Sequence, residues 1–277
     1  MNFKKAIAVS MMFLGLAAAP QVASAAGAAV APPKLDWGHK GPFGRFDPAQ
    51  MKRGAQVAVE VCLACHSIKY IKYDHLRHWG FTEDEVSEMA GNNDATKKDP
   101  MISGLAPEDA KESYGTIPPD LSLMVKARKG YENYLNAILT GYLNDEETEI
   151  VEAANEDEKI DDEEVKKLAK VFHMDPHNAD AIRMAAARIG MGDNFNKYFP
   201  GHFLAMPTPM TAEQVEYADG TEATLEQEAK DVTAFLAWAS EPIQEQRKAT
   251  GIWVILYLVV LTAMLYMVKK RIWARLH

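Results

Sequence analysis

Cysteine is nearly absent. Cys62 and Cys65 are the only two in 277 residues. They stand three positions apart, too close to staple a loop of any size, so a disulfide-framed fold is excluded and both thiols are left for chemistry. A basic excess is lacking too. Thirty Lys and Arg face 39 Asp and Glu, for a net charge of −9, the reverse of what a nucleic-acid binder shows. Long apolar runs occur only near the two ends, which excludes a multi-pass transporter. Strand signals are sparse, with no run of alternating β-branched residues. With 48% hydrophobic residues, the chain can bury a core and is no disordered protein. It predicts a mostly α domain with long ordered loops.

The N-terminal run has the form of an export signal. Lys4 and Lys5 precede the apolar stretch Ala6–Ala19, and Ala23-Ser24-Ala25 is a small-residue cleavage site. Residues 1–25 are therefore expected to be removed. The second run, Gly251 to Val268, holds eighteen residues without a charge, about the minimum to span a hydrocarbon layer of roughly 30 Å. Lys269, Lys270, Arg271 and Arg275 follow it, against Arg247 and Lys248 before it. The bias predicts a cytoplasmic tail at 269–277 and an exported domain at 26–250. The expected location is a bacterial cytoplasmic membrane, crossed once, with the domain in the periplasm.

Within that domain, 26–46 is rich in Pro and Gly and reads as an extended arm. Asp47-Pro48 predicts a helix start, with Asp as cap and Pro in the first turn. Met51, Ala55, Ala58, Val61, Cys62 and Cys65 continue at helical spacing. Thr224 and Gln227 fit a capping box for a helix to Ser240, with Leu225, Ala229, Val232, Phe235, Leu236 and Ala239 as its apolar stripe. Between lie turn signals at Gly115–Asp120, Pro200-Gly201, Pro207 and Pro209. Residues 145–164 hold twelve acids and one lysine. That block reads as a solvated loop, or as a patch that steers a basic partner. Val165–Phe172 and Asn178–Ile189 predict two further amphipathic helices.

Cys62-Leu63-Ala64-Cys65-His66 is the most informative stretch. Cys-x-x-Cys-His is the attachment motif of a c-type haem. Each thiol adds to a porphyrin vinyl group. Positions i, i+3 and i+4 of a helical turn share a face, so both sulfurs and the imidazole converge. A thioredoxin-like pair would need a βαβ pattern, and a zinc site more thiols or a paired histidine motif. Neither is present. A second axial ligand of Met type suits electron transfer. Met174, Met184, Met191, Met206 and Met210 are the candidates. Met184 fits a helix face better, while Met206 and Met210 share a proline-stiffened loop. The remaining histidines, His173 and His177 included, make no metal motif.

These residues resemble the cytochrome c1 family. The likeness lies in CLACHS at 62–67 with Tyr73-Asp74-His75-Leu76, IPPDLS at 117–122 with KAR at 126–128, LTGY at 139–142, YFPGHFLAMP at 198–207, YADGTEATLEQEAKDV at 217–232 and FLAWASEP at 235–242. The stretch 143–193 is longer than in many members and reads as an acidic, helical insertion. The resemblance implies a c-type cytochrome domain with one haem c, held covalently by Cys62 and Cys65. It implies His66 and Met206 as iron ligands, with Met206 preferred over Met210. Arg128 would pair with a haem propionate, a cation that a buried carboxylate needs. Tyr134 would lie near the haem, and Pro119 along its histidine side.

The implied function is that of an electron-transfer subunit of ubiquinol–cytochrome c reductase. It would pass electrons from a Rieske iron–sulfur protein to a soluble cytochrome c, beside cytochrome b in a dimeric complex, with no catalytic acid or base of its own. Two alternatives stay open at this point. One is a tethered cytochrome c feeding an oxidase or photosynthetic centre, and the other is a gas-binding haem sensor.

Overall fold

The computed structural model describes residues 30–156 and 159–275. The expected export signal at 1–25 and the last two residues of the tail lie outside the described residues. What is described is mostly helical, as the sequence predicts, with ten α-helices and two short strands among the described residues.

Helix α1, Pro48–Glu60, starts where Asp47 accepts a hydrogen bond from the Gln50 amide at 3.1 Å. It buries Met51, Gly54, Ala55, Val57, Ala58 and Val59. A 3₁₀ turn, Cys62–Ala64, follows directly. Strand β1, Ile68–Lys72, comes next, then a second 3₁₀ stretch, Tyr73–Trp79, and α2, Glu83–Gly91. β1 pairs antiparallel with β2, Pro100–Met101, through Ile68 opposite Met101. This small sheet is not visible in the sequence pattern. Its partner strand is two residues long and carries no alternation.

Helices α3, Pro107–Tyr114, α4, Met124–Ala127, and α5, Tyr131–Thr140, lead to the acidic region. There the solvated-loop reading fails. The block forms α6, Asp145–Glu156, and the start of α7, Asp162–Phe172. With α8, Ala179–Gly190, they enclose a core of their own that includes Val151, Leu168, Phe172, Ile182 and Phe195. Six of the acids occupy first turns: Asp145, Glu146 and Glu147 in α6, and Asp162, Glu163 and Glu164 in α7. Carboxylates there offset the positive end of the helix dipole. Asp161 adds a capping box with Glu164.

Helix α9, Leu225–Ser240, forms the centre of the main core with α1. It is buried on every side from Val232 to Ser240, beyond the single stripe that its sequence predicts. The capping box there is half made. Thr224 accepts from the Gln227 amide at 3.2 Å, but the Gln227 side chain donates to Asp231 at 2.9 Å. Asp231 is fully buried and also receives Arg53 Nε at 2.7 Å and Gln50 at 3.1 Å, so its charge is paired and hydrogen-bonded.

Helix α10, Gln244–Trp273, is 30 residues long, about 45 Å. It runs past both ends of the predicted span. Its apolar window has a mean hydropathy of 2.3 and no buried residue. It is the one helix among the described residues long and apolar enough to cross a membrane, and such a surface is stable only in lipid or against other chains. The arm before α1 is extended over 30–37, but then folds into a tight hairpin rather than running on to α1, and it is firmly docked. Trp37 and Phe46 are buried, and Trp37 Nε1 donates to Asn133 at 2.8 Å.

Candidate functional site

The turn after α1 is built from short-range bonds. The Cys65 and His66 amides both donate to the Cys62 carbonyl, at 3.2 and 2.9 Å. The first bond tightens the predicted helical turn to 3₁₀, and the second keeps Cys62, Cys65 and His66 within one turn. Ser103 braces it from outside: its hydroxyl donates to the Ala64 carbonyl at 3.1 Å, and its amide donates to Ser67 Oγ at 3.0 Å.

The loop 117–122 is stitched alongside. Leu121 donates to the Ser67 carbonyl at 2.8 Å, and Asp120 accepts from the Lys69 amide at 3.1 Å. The Tyr70 amide donates to Ser122 Oγ at 3.1 Å. These bonds bring the Pro119 carbonyl 2.7 Å from His66 Nδ1. Nδ1–H donates there, which fixes the tautomer and leaves Nε2 with its lone pair. Burial pulls the imidazole below its ordinary value, while the Pro119 bond and the Asp120 charge oppose that. The ring is neutral near pH 7, as a metal ligand must be.

Both cysteines are free thiols. Cys62 packs against the main core. Burial, and then the neighbouring Cys65, push its thiol up to about 12. A redox-active pair depends on the opposite, a depressed pKa. The Cys65 side chain faces the Tyr114 phenol, which its charge and hydrogen bond push up. No three His, Cys, Asp or Glu side chains converge as a bare metal site among the described residues. The donor set is therefore two unoxidised thiols and one oriented imidazole within a single turn. That chemistry fits a covalently attached haem, whose porphyrin nitrogens would make up for the missing third protein ligand.

The other predicted residues occupy different elements. Met206 is half-buried in the loop after Phe203. Tyr142, just after α5, donates its hydroxyl to the Met206 carbonyl at 2.9 Å. Met210 is fully buried in the main core. Met184 and Met191 are exposed on the acidic unit. Arg128 ends α4 in extended conformation. It is exposed, its one described side-chain bond goes to the Ala127 carbonyl at 3.3 Å, and it has no carboxylate partner among the described residues. Tyr134 lies close enough that the Arg128 charge opposes the upward push of burial on its phenol. The structure thus joins His66 to Pro119 and places Arg128 near Tyr134, and no hydrogen bond links these pairs to Met206.

Two residues escaped the sequence reading. Tyr142 closes the LTGY stretch, where only its resemblance to other sequences marked it. Tyr114 precedes the Gly115 turn and carries no local signal for contact with Cys65.

Residues 37–276 match the sequence model of the Cytochrome C1 family. Cytochrome c1 of Rhodospirillum rubrum is 36% identical over 98% of this chain and 96% of its own length. The mitochondrial cytochrome c1 heme protein of Saccharomyces cerevisiae is 34% identical, covering 87% and 72%. The mitochondrial cytochrome b-c1 complex catalytic subunit of Candida albicans is 33% identical, covering 87% and 77%.

Proposed function

The chain belongs to the cytochrome c1 family, and on that premise we propose that it is the electron-transfer subunit of a ubiquinol–cytochrome c reductase. In this reading it takes electrons from a Rieske iron–sulfur protein and delivers them to a soluble cytochrome c. It works beside cytochrome b in a dimeric complex, with its domain in the periplasm, its C-terminus in the cytoplasm and α10 as the anchor. The observation that carries the proposal is the His66–Pro119 bond, which orients a free imidazole nitrogen within a turn of two thiols.

Cys62 and Cys65 would hold one haem c by thioether bonds, and His66 and Met206 would ligate its iron. A haem c, when bound, supplies a one-electron couple that needs no proton transfer. The chain's own residues set the conditions. The Pro119 carbonyl fixes the His66 ring and raises its basicity. Tyr142 restrains the Met206 backbone. Arg128, whose guanidinium has no carboxylate partner among the described residues, would pair with a propionate, and Tyr134 beside it would line the same wall. The acids of α6 and α7 would draw in a basic soluble cytochrome c.

The test is purification of the native membrane complex through a tag on this chain. The expected result is a pyridine haemochrome of c type in one-to-one ratio to the chain, together with a co-purifying b-type cytochrome and quinol-dependent reduction of a soluble cytochrome c. A colourless chain would overturn the cofactor assignment. A coloured chain that brings down a terminal oxidase instead would overturn the complex.

A further inference from the structure

We propose that the loop Lys40–Arg45 is a second membrane contact, which seats Phe43 among lipid headgroups beside the root of the anchor helix. The proposal rests on α10 crossing the bilayer. It starts from a short hairpin in the arm, closed by the Arg45 amide donating to the Gly38 carbonyl at 3.1 Å and the Lys40 amide to the Trp37 carbonyl at 2.9 Å. Gly41 turns with φ of 75°. Gly44 folds back so tightly that a Cβ would stand 1.9 Å from the Lys40 carbonyl oxygen. The tip is therefore a rigid turn that only glycine allows at this position.

Three bonds tie this hairpin to the first turns of α10. The Phe46 amide donates to Glu245 at 2.8 Å. Lys248 Nζ donates to the His39 carbonyl at 2.5 Å and to the Gly44 carbonyl at 3.2 Å. Both helix side chains tilt the same way along the axis. The step from Glu245 to Lys248 is thus just under one turn, about 4.5 Å, toward the membrane. The hairpin is thus held at the level of Glu245 and Lys248. With its tip, residues 40–43, turned toward the bilayer, Phe43 would meet the zone just above the uncharged span, which begins at Gly251, about 4.5 Å beyond Lys248.

The tip carries the side chains that such a depth favours. Phe43 is 80% exposed, and Trp253, two residues into the uncharged span of the anchor, is 71% exposed. Aromatic rings gather in this interfacial zone. Arg45 is exposed and has no ion-pair partner among the described residues, so its guanidinium can reach a lipid phosphate. Lys40 is engaged with Glu132 at 2.6 Å. A single exposed apolar residue is ordinary on a protein surface. The placement of this one, pinned rigidly beside a membrane helix and flanked by a free cation, identifies lipid as what covers it. Two contacts fix the tilt of the domain over the bilayer, where one helix alone would leave it free to rotate.

The experiment uses the full chain in its native complex, reconstituted into nanodiscs of phosphatidylethanolamine and phosphatidylglycerol. A nitroxide is placed in turn at Phe43→Cys, Met184→Cys and Val260→Cys, and its collision rates with oxygen and with a water-soluble nickel chelate are measured. Val260 reports the anchor and must read as hydrocarbon; if it reads as water, the anchor reading fails by itself. Met184, exposed on α8, must read as water. The ratio of oxygen to nickel collisions at Phe43 is expected to exceed that at Met184 several-fold. A Phe43 label as accessible to nickel as Met184 would overturn the membrane contact. So would one shielded from both reagents, which would mean burial against another protein chain.

Discussion

Gly54 of α1 lies directly against the backbone of Asp231 in α9: a Cβ at Gly54 would stand 2.1 Å from the Asp231 carbonyl oxygen and 2.9 Å from Phe235 Cβ. The obstacle is main chain, so no rotamer change relieves it. Gly54→Ala must push apart the two helices that carry the core and, through α1, the turn bearing Cys62 and Cys65. Overpacking of this kind costs about 3 kcal/mol. Thermal unfolding of the purified domain that precedes α10 is expected to shift down by about 5–10 °C. An unchanged midpoint would show that the two helices have slack at this crossing.

Glu132 provides a second measurable effect. It is 5% exposed. Burial pushes its carboxyl up, but bonds from His39 and Lys40 outweigh that and hold it down at about 2. A lowered folded-state value means that stabilisation is complete above the ordinary carboxylate value of 4.5 and is lost as pH falls toward 2. Glu132→Gln is expected to lose up to about 3 kcal/mol at pH 7. The gap to the parent should narrow below pH 4.5 and vanish near pH 2. A gap that stays constant with pH would assign the loss to packing rather than to charge.

The reading of Met206 as an iron ligand, steadied by Tyr142, predicts a graded series. Met206→Leu keeps both thioethers but removes the sulfur. The haem should remain covalently bound, its midpoint potential should fall sharply, and carbon monoxide should bind the reduced form. Tyr142→Phe removes only the hydroxyl that holds the Met206 carbonyl, worth about 1 kcal/mol. The potential should then fall less, with carbon monoxide binding intermediate. Redox titration with a reduced-state spectrum checks both variants. If Tyr142→Phe leaves potential and carbon monoxide binding untouched, Tyr142 has no positioning role.

What the sequence reveals and what it hides divide along contact range. Asp47-Pro48 and Cys62–His66 are legible because their geometry is set within one or two turns. The Thr224–Gln227 capping box is only half legible. Gln227 had a local use for its side chain, and buried Asp231 offered a stronger one. Ile68–Lys72 pairs with a two-residue strand about thirty positions away, which leaves no periodic trace. Tyr142 and Met206 are 64 residues apart, and nothing near either one announces the other. In the acidic stretch the apolar positions Val151 and Ala154 do keep helical spacing. The charge density around them reads as solvation until the buried face is seen.

That acidic unit now has a sharper test than its removal, because deletion of 145–164 would strip α6 and part of α7 from a packed core. Glu146, Glu149, Glu152 and Glu156 are exposed and have no ion-pair partners among the described residues. Glu147, by contrast, pairs with Lys197 at 2.6 Å, and Asp161 and Glu164 cap α7. Changing the four free glutamates to Gln therefore removes four negative charges and leaves the pair and the cap in place. Long-range attraction between opposite charges speeds association most at low ionic strength and is screened within about 8 Å at physiological salt. If the unit steers a basic soluble cytochrome c, the quadruple variant should reduce it several-fold more slowly at low salt and nearly as fast at high salt, with a shallower salt slope. Stopped-flow reduction by the native complex across a salt series measures this. Equal slopes in parent and variant would leave these carboxylates with no part in docking.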